Sequence, residues 1–313
     1  MDKKEIYEVF CEREKELPIF FQPWYLDALG NGECWEVAVA VEKEQVVGAM
    51  PYFIKRKAIF SYVTMPVFAR YLGPYIIEAK RSIKYYHKIC TSLIEQLPEF
   101  DDFTIYGCPT MGSWLAFYWQ GFYQTTRYTY QLDIQDLDKV YKNFSSTIRN
   151  NIRKAKRQNV TVIDDLSLEE YYEINKKSYD RQGVPVDFSF ELLQRLDAVL
   201  AEKRQRKIFA VKDAIGNIHS VSYLIWDNVY AYYLLAGTDT AFRKHNTSCL
   251  LVWETMEFTK KELGLNHFDF CGSMVKGIEA NRRLFRGIPT PYHQITKTPS
   301  TLMKIGRFFQ REF

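Results

Sequence analysis

A basic turn in the second half of the chain has residue types that could hold an anionic group. Arg243–Ser248, with the sequence Arg-Lys-His-Asn-Thr-Ser, follows a strand-like segment and precedes an amphipathic helix candidate. The first N–H groups of a helix have no partner within the helix, and the helix dipole favours negative charge there. A strand that leads into such a turn is a recurring way to bind phosphate oxygens. An ordinary capped helix start is the alternative interpretation.

Other side chains in this half have types that could move a proton. Asp269 lies in a short apolar strand, Phe268–Phe270, where burial could tune it as a general base for an amine nucleophile. The alternative is a structural carboxylate that accepts backbone N–H bonds near Gly272. Tyr233 could protonate a leaving thiolate, and Tyr223 on a neighbouring strand could line the substrate cleft. Core packing is the alternative for both tyrosines.

Basic residues form two clusters that could contact an anionic substrate. Residues 149–157 contain five Lys or Arg and no acid, and Arg153 shares a helix face with the arginines four positions before and after it. RNA, an anionic lipid head group or a phosphorylated acceptor are the candidate ligands of this face. Lys276 and Arg286 belong to a second cluster that could clamp a donor or acceptor. For both clusters the alternative is a solvated surface.

The cysteines and the apolar segments limit the class of protein. The six cysteines are scattered without a Cys-x-x-Cys pair, and none lies beside a His at metal-ligand spacing, so we expect no metal. Single cysteines are typical of a reducing compartment. The N-terminus lacks the apolar core of a signal peptide, and no apolar run is long enough to span a bilayer. We therefore expect a soluble, cytoplasmic protein.

Length and pattern predict two α/β domains. The chain has 313 residues, 47% of them hydrophobic, which is enough for two sizeable cores. The net charge of +4 is too small to indicate nucleic-acid binding by itself. Each half has helices, a hairpin, a further helix and a strand, with the hairpins at 37–54 and 209–226. With Leu132–Asp138 as the connection, we predict domains at 1–135 and 136–313.

Local signals predict the elements of the second half. Ser145, Ser146 or Thr147 could cap a helix with Ile148, Ile152 and Ala155 on its inner face. The other predicted elements are helices at 168–179, 189–203 and 248–263 and strands at 207–212, 220–226, 228–235 and 268–270.

Six short motifs point to one family. In the second half they are the basic helix Arg149–Arg157, the segment Ala231–Gly237, Leu263-Gly264-x-x-x-Phe268-Asp269-Phe270-x-Gly272, and Gly277-Ile278 followed by Leu284–Gly287; in the first half they are Phe21–Leu26 and Val47–Pro51. Together they resemble the GNAT-like acyltransferases of the FemABX-related group, which includes the BioF2-like acetyltransferase domain.

The resemblance implies tandem GNAT-like units, each a mixed β-sheet flanked by helices. It also implies transfer of an acyl group to an amine, with acetyl-CoA or another acyl-CoA as donor and no metal. The family's pyrophosphate loop, Arg/Gln-x-x-Gly-x-Gly/Ala, matches Arg243, Asn246, Thr247 and Ser248, with Asn246 and Ser248 at the glycine positions. Asn adopts the left-handed conformation more readily than most residues.

The resemblance leaves the acceptor and the donor class open. An amine on a small molecule or on a cell-envelope precursor would fit as the acceptor. Aminoacyl-tRNA and acyl carrier protein are alternative donors, although the chain lacks the long helical-hairpin insertion of some tRNA-using members. A non-catalytic GNAT-like protein that binds a nucleic acid or a lipid head group is the alternative outside enzymes.

Overall fold

The computed structural model describes residues 2–30, 34–183 and 185–310, which form a mixed α/β fold as predicted. The helices are α1 (Lys3–Arg13), α2 (Pro23–Leu29), α3 (Ile83–Ile94), α4 (Leu115–Trp119), α5 (Leu137–Asn143), α6 (Ser146–Lys156), α7 (Leu168–Gln182), α8 (Phe190–Glu202), α9 (Thr247–Lys261), α10 (Lys276–Arg282) and α11 (Thr301–Gln310). The strands are β1 (Cys34–Glu42), β2 (Gln45–Lys57), β3 (Phe60–Thr64), β4 (Tyr75–Ile76), β5 (Asp102–Tyr106), β6 (Tyr123–Asp133), β7 (Val160–Ile163), β8 (Arg206–Asp213), β9 (Ile218–Trp226), β10 (Tyr230–Thr238), β11 (His267–Asp269) and β12 (Ile288–Lys297).

The chain divides into two compact units. One comprises the chain up to Arg127 together with the segment from Pro291 onward, and the other runs from Tyr128 to Thr290. The predicted domains at 1–135 and 136–313 differ from this division at both ends. The chain passes from one unit to the other inside strand β6 and again inside strand β12. The prediction placed a single connection at Leu132–Asp138 and no strand at either point.

In the first unit, strands β1, β2 and β3 form an antiparallel meander, and β4 pairs with β2. Strand β5 is parallel to β3, and β12 is antiparallel to β5. Helix α3 contributes Ile89, Cys90 and Leu93 to the core, which they share with Phe103 of β5 and Ile295 of β12. A return segment from the far end of the chain therefore completes this sheet.

The second unit has the same arrangement. Strands β7 to β10 pair antiparallel in sequence order, β11 is parallel to β10, and β6 is antiparallel to β11. Helix α9 makes the crossover connection that the parallel strands β10 and β11 require. The predicted repeat is confirmed in the topology, but the last strand of each sheet comes from outside the repeat.

Side-chain caps and buried apolar faces explain why the predicted helices of the second unit agree with the structure. Ser145 caps α6 through the Ile148 N–H (3.3 Å), and Ile148, Ile152 and Ala155 are buried as predicted. Ser189 caps α8 in the same way through the Leu192 N–H. Helices α6 and α9 contribute to the core on one face of the sheet, and α7 packs against β10 and β9.

Candidate active site

Strands β10 and β11 separate after a short parallel ladder. The pairs run from Tyr230 with His267 to Tyr232 with Asp269, where β11 ends. Strand β10 continues to Thr238 and pairs with β9 over that length, through a bulge between Tyr233 and Leu235. In the described ladders, β10 has no strand partner on its β11 side after Tyr232. A ligand that lies along this edge would therefore meet β10 where no strand of the described ladders pairs with it.

The turn after β10 has the predicted backbone conformation. A 3-10 helix, Thr240–His245, ends at Asn246, whose φ of +59° is left-handed. The Asn246 side chain donates to the Lys244 carbonyl (3.1 Å) and does not cap α9. The first N–H groups of this 15-residue helix consequently have no side-chain cap from Asn246, which leaves a positive helix end for an anion.

The four residues predicted to bind the donor differ in their availability. Thr247 is buried, and its hydroxyl is within 2.7 Å of the Ser220 hydroxyl, so its side chain faces the sheet. Ser248 is half-buried in the first turn of α9, and Arg243 is exposed in the 3-10 helix. The backbone at Ser248 is therefore better placed for an anion than the Thr247 hydroxyl, and the Asn246 N–H already donates to the Arg243 carbonyl (3.3 Å).

Asp269 is fully buried and fully engaged at the end of β11. Its Oδ1 accepts from the Thr129 hydroxyl (2.6 Å) and the Cys271 N–H (2.7 Å), and its Oδ2 accepts from the Gln131 amide (2.8 Å). The Thr129 hydroxyl in turn accepts from the Gly272 N–H (3.0 Å). Three donors on a carboxylate favour its charged form and fix the backbone around it. This geometry favours the structural alternative stated for Asp269.

Tyr233 and Asp269 lie on opposite faces of the sheet. The Tyr233 ring packs against Phe268 and Phe270, the two residues that flank Asp269 and alternate with it. Tyr233 is 4% exposed, and burial raises its pKa well above the ordinary value, so the phenol is neutral at pH 7. The two side chains predicted as catalytic cannot act together on one substrate atom.

Comparisons with known proteins identify the family of the second unit. Residues 142–280 match the family model described as the acetyltransferase (GNAT) domain. This part of the chain is a GNAT-type acetyltransferase domain. The match spans α6, α9, the turn at Asn246 and the separated strands, so the predicted class of acyltransferase is confirmed.

Solved structures share the fold of this GNAT domain and of the remaining chain. FemX superposes with a TM-score of 0.72 at 12% identity, covering 94% of this chain and 96% of that one. L-PGS from Bacillus licheniformis gives 0.60 at 12% identity, with 99% and 96% coverage. A tandem GNAT protein from the clavulanic acid biosynthesis pathway gives 0.55 at 10% identity, with 95% and 94% coverage. No curated protein sequence matches this chain.

Tyr223 lies in a buried polar network of the GNAT domain. Its hydroxyl donates to Asp197 Oδ1 (2.6 Å), and Asp197 Oδ2 accepts from Arg206 (2.9 Å). Burial and the Asp197 carboxylate raise the pKa of Tyr223 well above its usual range. Tyr223 is 0% exposed, and its ring packs on Tyr171 of α7. This position favours the core alternative over the predicted role in lining a substrate cleft.

The predicted basic contacts lie on the surface of the GNAT domain. Lys276 and Arg286 are exposed. Arg153 is exposed and donates to Asn150 Oδ1 (2.6 Å) and the Arg149 carbonyl (3.3 Å), so it contacts its own helix.

Arg282 lies between Lys276 and Arg286 in the second basic cluster, and the sequence predicted no separate role for it. Its guanidinium donates to the carbonyls of Phe270 and Gly272 and lies over the Phe270 ring. The charge fixes the chain just beyond β11, at the point where the two strands separate. The preceding Gly272, with φ of +104°, was the available signal that this segment turns sharply.

Over the described residues, no group of three or more His, Cys, Asp or Glu side chains is arranged to hold a metal ion. Within the same residues, no helix combines the length and apolar character needed to cross a bilayer.

Proposed function

We propose that this protein transfers an acyl group from an acyl-CoA to an amine. The observation that carries the proposal is the position of an open helix end beside an open strand edge. The N-terminus of α9 follows left-handed Asn246, one 3-10 helix after β10 ends at Thr238, and β10 has no parallel partner beyond Tyr232 in the described ladders. A thioester donor with a pyrophosphate at one end and amide groups along its arm matches both features.

The donor would lie along β10 with its phosphates at the start of α9. Backbone N–H groups of Thr247 and Ser248 would bind the pyrophosphate oxygens, since the N–H groups of Asn246 and Cys249 already donate to the carbonyls of Arg243 (3.3 Å) and Asn246 (3.0 Å). The edge of β10 beyond Tyr232, where the ladder with β11 has ended, would lie against the donor's amide groups and polarise the thioester carbonyl. The ladder of β10 with β9 has a register shift between Tyr233 and Leu235, close to where this carbonyl would lie.

Catalysis would depend on positioning more than on a side-chain base. The amine nitrogen bonds to the carbonyl carbon, the carbon–sulfur bond breaks, and a proton from nitrogen ends on the thiolate. Holding both reactants in line supplies much of the rate acceleration for such a step. In this scheme Asp269 is a positioning residue that fixes the end of β11. Proton donation by Tyr233 stays a prediction, and the burial of its ring argues against it.

We propose an amine on a small molecule or on a cell-envelope precursor as the acceptor. The fold shared with FemX and with L-PGS supports including envelope precursors in the panel of amines to test. We also propose that the protein acts in the cytoplasm. None of the six cysteines forms a disulfide, which suits a reducing compartment, and acyl-CoA is available there.

Aminoacyl-tRNA is the second candidate donor, because the FemABX resemblance implies it. The basic helix α6 is the feature that would contact RNA. Two of its arginines already bind protein groups, since Arg149 donates to the carbonyls of Lys142 and Phe144 and Arg153 contacts its own helix. These contacts favour acyl-CoA. An acyl carrier protein would offer the same pantetheine arm and remains an alternative source of it.

Ser248→Tyr tests the donor site. A bulky side chain in the first turn of α9 would occupy the space of the phosphates, so we expect about a tenfold or greater loss of acetyl-CoA affinity by calorimetry. Ser146→Tyr is the matched control, because Ser146 is exposed at the first position of α6 in the same unit. Unchanged affinity in a folded Ser248→Tyr protein would contradict the loop assignment.

A further inference from the structure

A basic cavity of about 550 Å³ lies beside the turn that precedes α9. Three cations line it: Lys154 and Arg157 at the end of α6, and Lys244 in the turn. Lys154 and Arg157 are three positions apart and so share a helix face. Across the described residues, none of the three forms an ion pair with a carboxylate. The volume is in the range of small-molecule pockets.

The carboxylate in the cavity wall, Asp213, is committed to its own turn. Its Oδ1 accepts from the N–H groups of Ile215 (3.1 Å) and Asn217 (2.8 Å), and its Oδ2 accepts from the Asn217 side chain (2.9 Å). The Asn217 amide and the adjacent His219 hold the pKa of Asp213 at about 2. Asp213 is therefore negative at neutral pH, and three cations against this one anion still present a net positive field to the cavity.

His219 gives an independent indication of a ligand. Its ring is 2% exposed and stacks on Phe242 at 4.0 Å with an interplanar angle of 5°. Nε2 bonds to Asp213 Oδ2 (3.1 Å), which fixes the orientation of the ring. Nδ1 of this cavity-lining residue has no partner among the described residues. A buried polar atom without a partner is unfavourable, so a ligand that supplies one is favoured at this point.

We propose that this cavity binds a phosphate monoester group. Such a group has three acceptor oxygens, enough to meet Lys154, Arg157 and Lys244, and His219 Nδ1 could donate as well when both nitrogens of its ring carry a proton. The group would be the ribose 3′-phosphate of the acyl-CoA, or else free phosphate. Its assignment to the acyl-CoA rests on the proposed function.

The test compares CoA, 3′-dephospho-CoA and inorganic phosphate by calorimetry on the full chain. The variants are Lys154→Gln and Arg157→Gln, which change exposed side chains of the cavity wall. Lys156→Gln is the control: it removes the same charge from the same helix, at a residue that pairs with Glu254 (3.2 Å) and does not line the cavity. Thermal unfolding of each variant checks that it is folded.

We expect the wild type to prefer CoA over 3′-dephospho-CoA by about tenfold. Lys154→Gln and Arg157→Gln should abolish the preference, and Lys156→Gln should retain it. If the two cofactors bind equally but inorganic phosphate binds and is weakened by the same two variants, free phosphate is the ligand. Phosphate binding without any CoA binding would overturn the proposed function and leave the cavity assignment intact. The cavity assignment is overturned if neither variant alters the binding of any phosphate compound.

Discussion

At the residue scale, Asp269 shows why an acid in an apolar strand is an ambiguous signal. The sequence places a carboxylate among aromatic residues, which suits either a tuned base or a buried hydrogen-bond acceptor. The two interpretations differ in what surrounds the carboxylate oxygens. Thr129 and Gln131 donate hydrogen bonds to these oxygens, and they lie 140 and 138 positions away in the chain. No local pattern around Asp269 contains that information.

Asp269→Asn separates the two roles of this residue. The new amide NH₂ would face a hydroxyl or N–H donor, so we expect a loss of about 1–3 kcal/mol in the free energy of unfolding, measured in urea. The affinity for acyl-CoA should fall together with the stability, because the end of β11 loosens. Thr129→Val, which removes one donor and keeps the carboxylate, should lower stability in the same direction. A variant with unchanged stability whose kcat loses its pH dependence would instead identify Asp269 as the base.

The tyrosines also show that a local pattern predicts the direction of a side chain but not its distant partner. Strand alternation places the neighbouring Tyr232 and Tyr233 of β10 on opposite sides of the sheet, because the period of a strand is local. The Tyr223 hydroxyl donates to Asp197, which lies on helix α8. No sequence pattern predicts this hydrogen bond between a strand and a helix. Asn246 was predictable for the opposite reason, since its left-handed φ depends on its own side chain and the adjoining turn.

At the element scale, the helices were the predictable part. The predicted helices at 189–203 and 248–263 differ from α8 and α9 by at most two residues at each end, because their caps and apolar faces are written locally. Strands β6 and β12 were missed. Strand β6 is rich in Tyr and Thr, a usable strand signal, but its exposed, polar pattern suggests a loop. Strand β12 contains Pro289 and Pro291, which argue against a strand within a sheet.

The packing of α7 on β10 depends on one glycine. A Cβ added at Gly237 would lie 2.6 Å from the Cα of Asn175 and 3.0 Å from its nitrogen, both backbone atoms of α7. We expect Gly237→Ala to cost about 1–3 kcal/mol of unfolding free energy, because the helix must move away from the strand. Chemical denaturation followed by circular dichroism measures the change.

Gly277→Ala is the matched control for this substitution. Gly277 lies in α10, and nothing is within 4 Å of its added Cβ. Alanine is the better helix former, so stability should stay unchanged or rise by about 0.5–1 kcal/mol. Equal losses in the two variants would contradict the account of the contact between α7 and β10.

At the scale of the whole molecule, each repeat lacks its own last strand. The repeat visible in the sequence covers hairpin, helix and parallel strand, and the topology confirms it in both units. The strand beside the parallel pair is β12 in the first unit and β6 in the second, each supplied from beyond the repeated segment. A boundary drawn where the second repeat begins therefore removes β6 from the second unit.

Two fragments test this account of the second unit. Residues 128–290 retain the part of β6 that pairs with β11, whereas residues 136–290 lack it together with Thr129 and Gln131. In the shorter fragment the Asp269 carboxylate loses two of its three side-chain and N–H donors, Thr129 and Gln131, and β11 becomes an edge strand that pairs only with β10. We expect the longer fragment to unfold cooperatively on heating and the shorter one to show a much lower Tm or no transition. Because the two differ by only eight residues, similar Tm values would mean that β6 contributes little and that the predicted boundary at 136 is an adequate one.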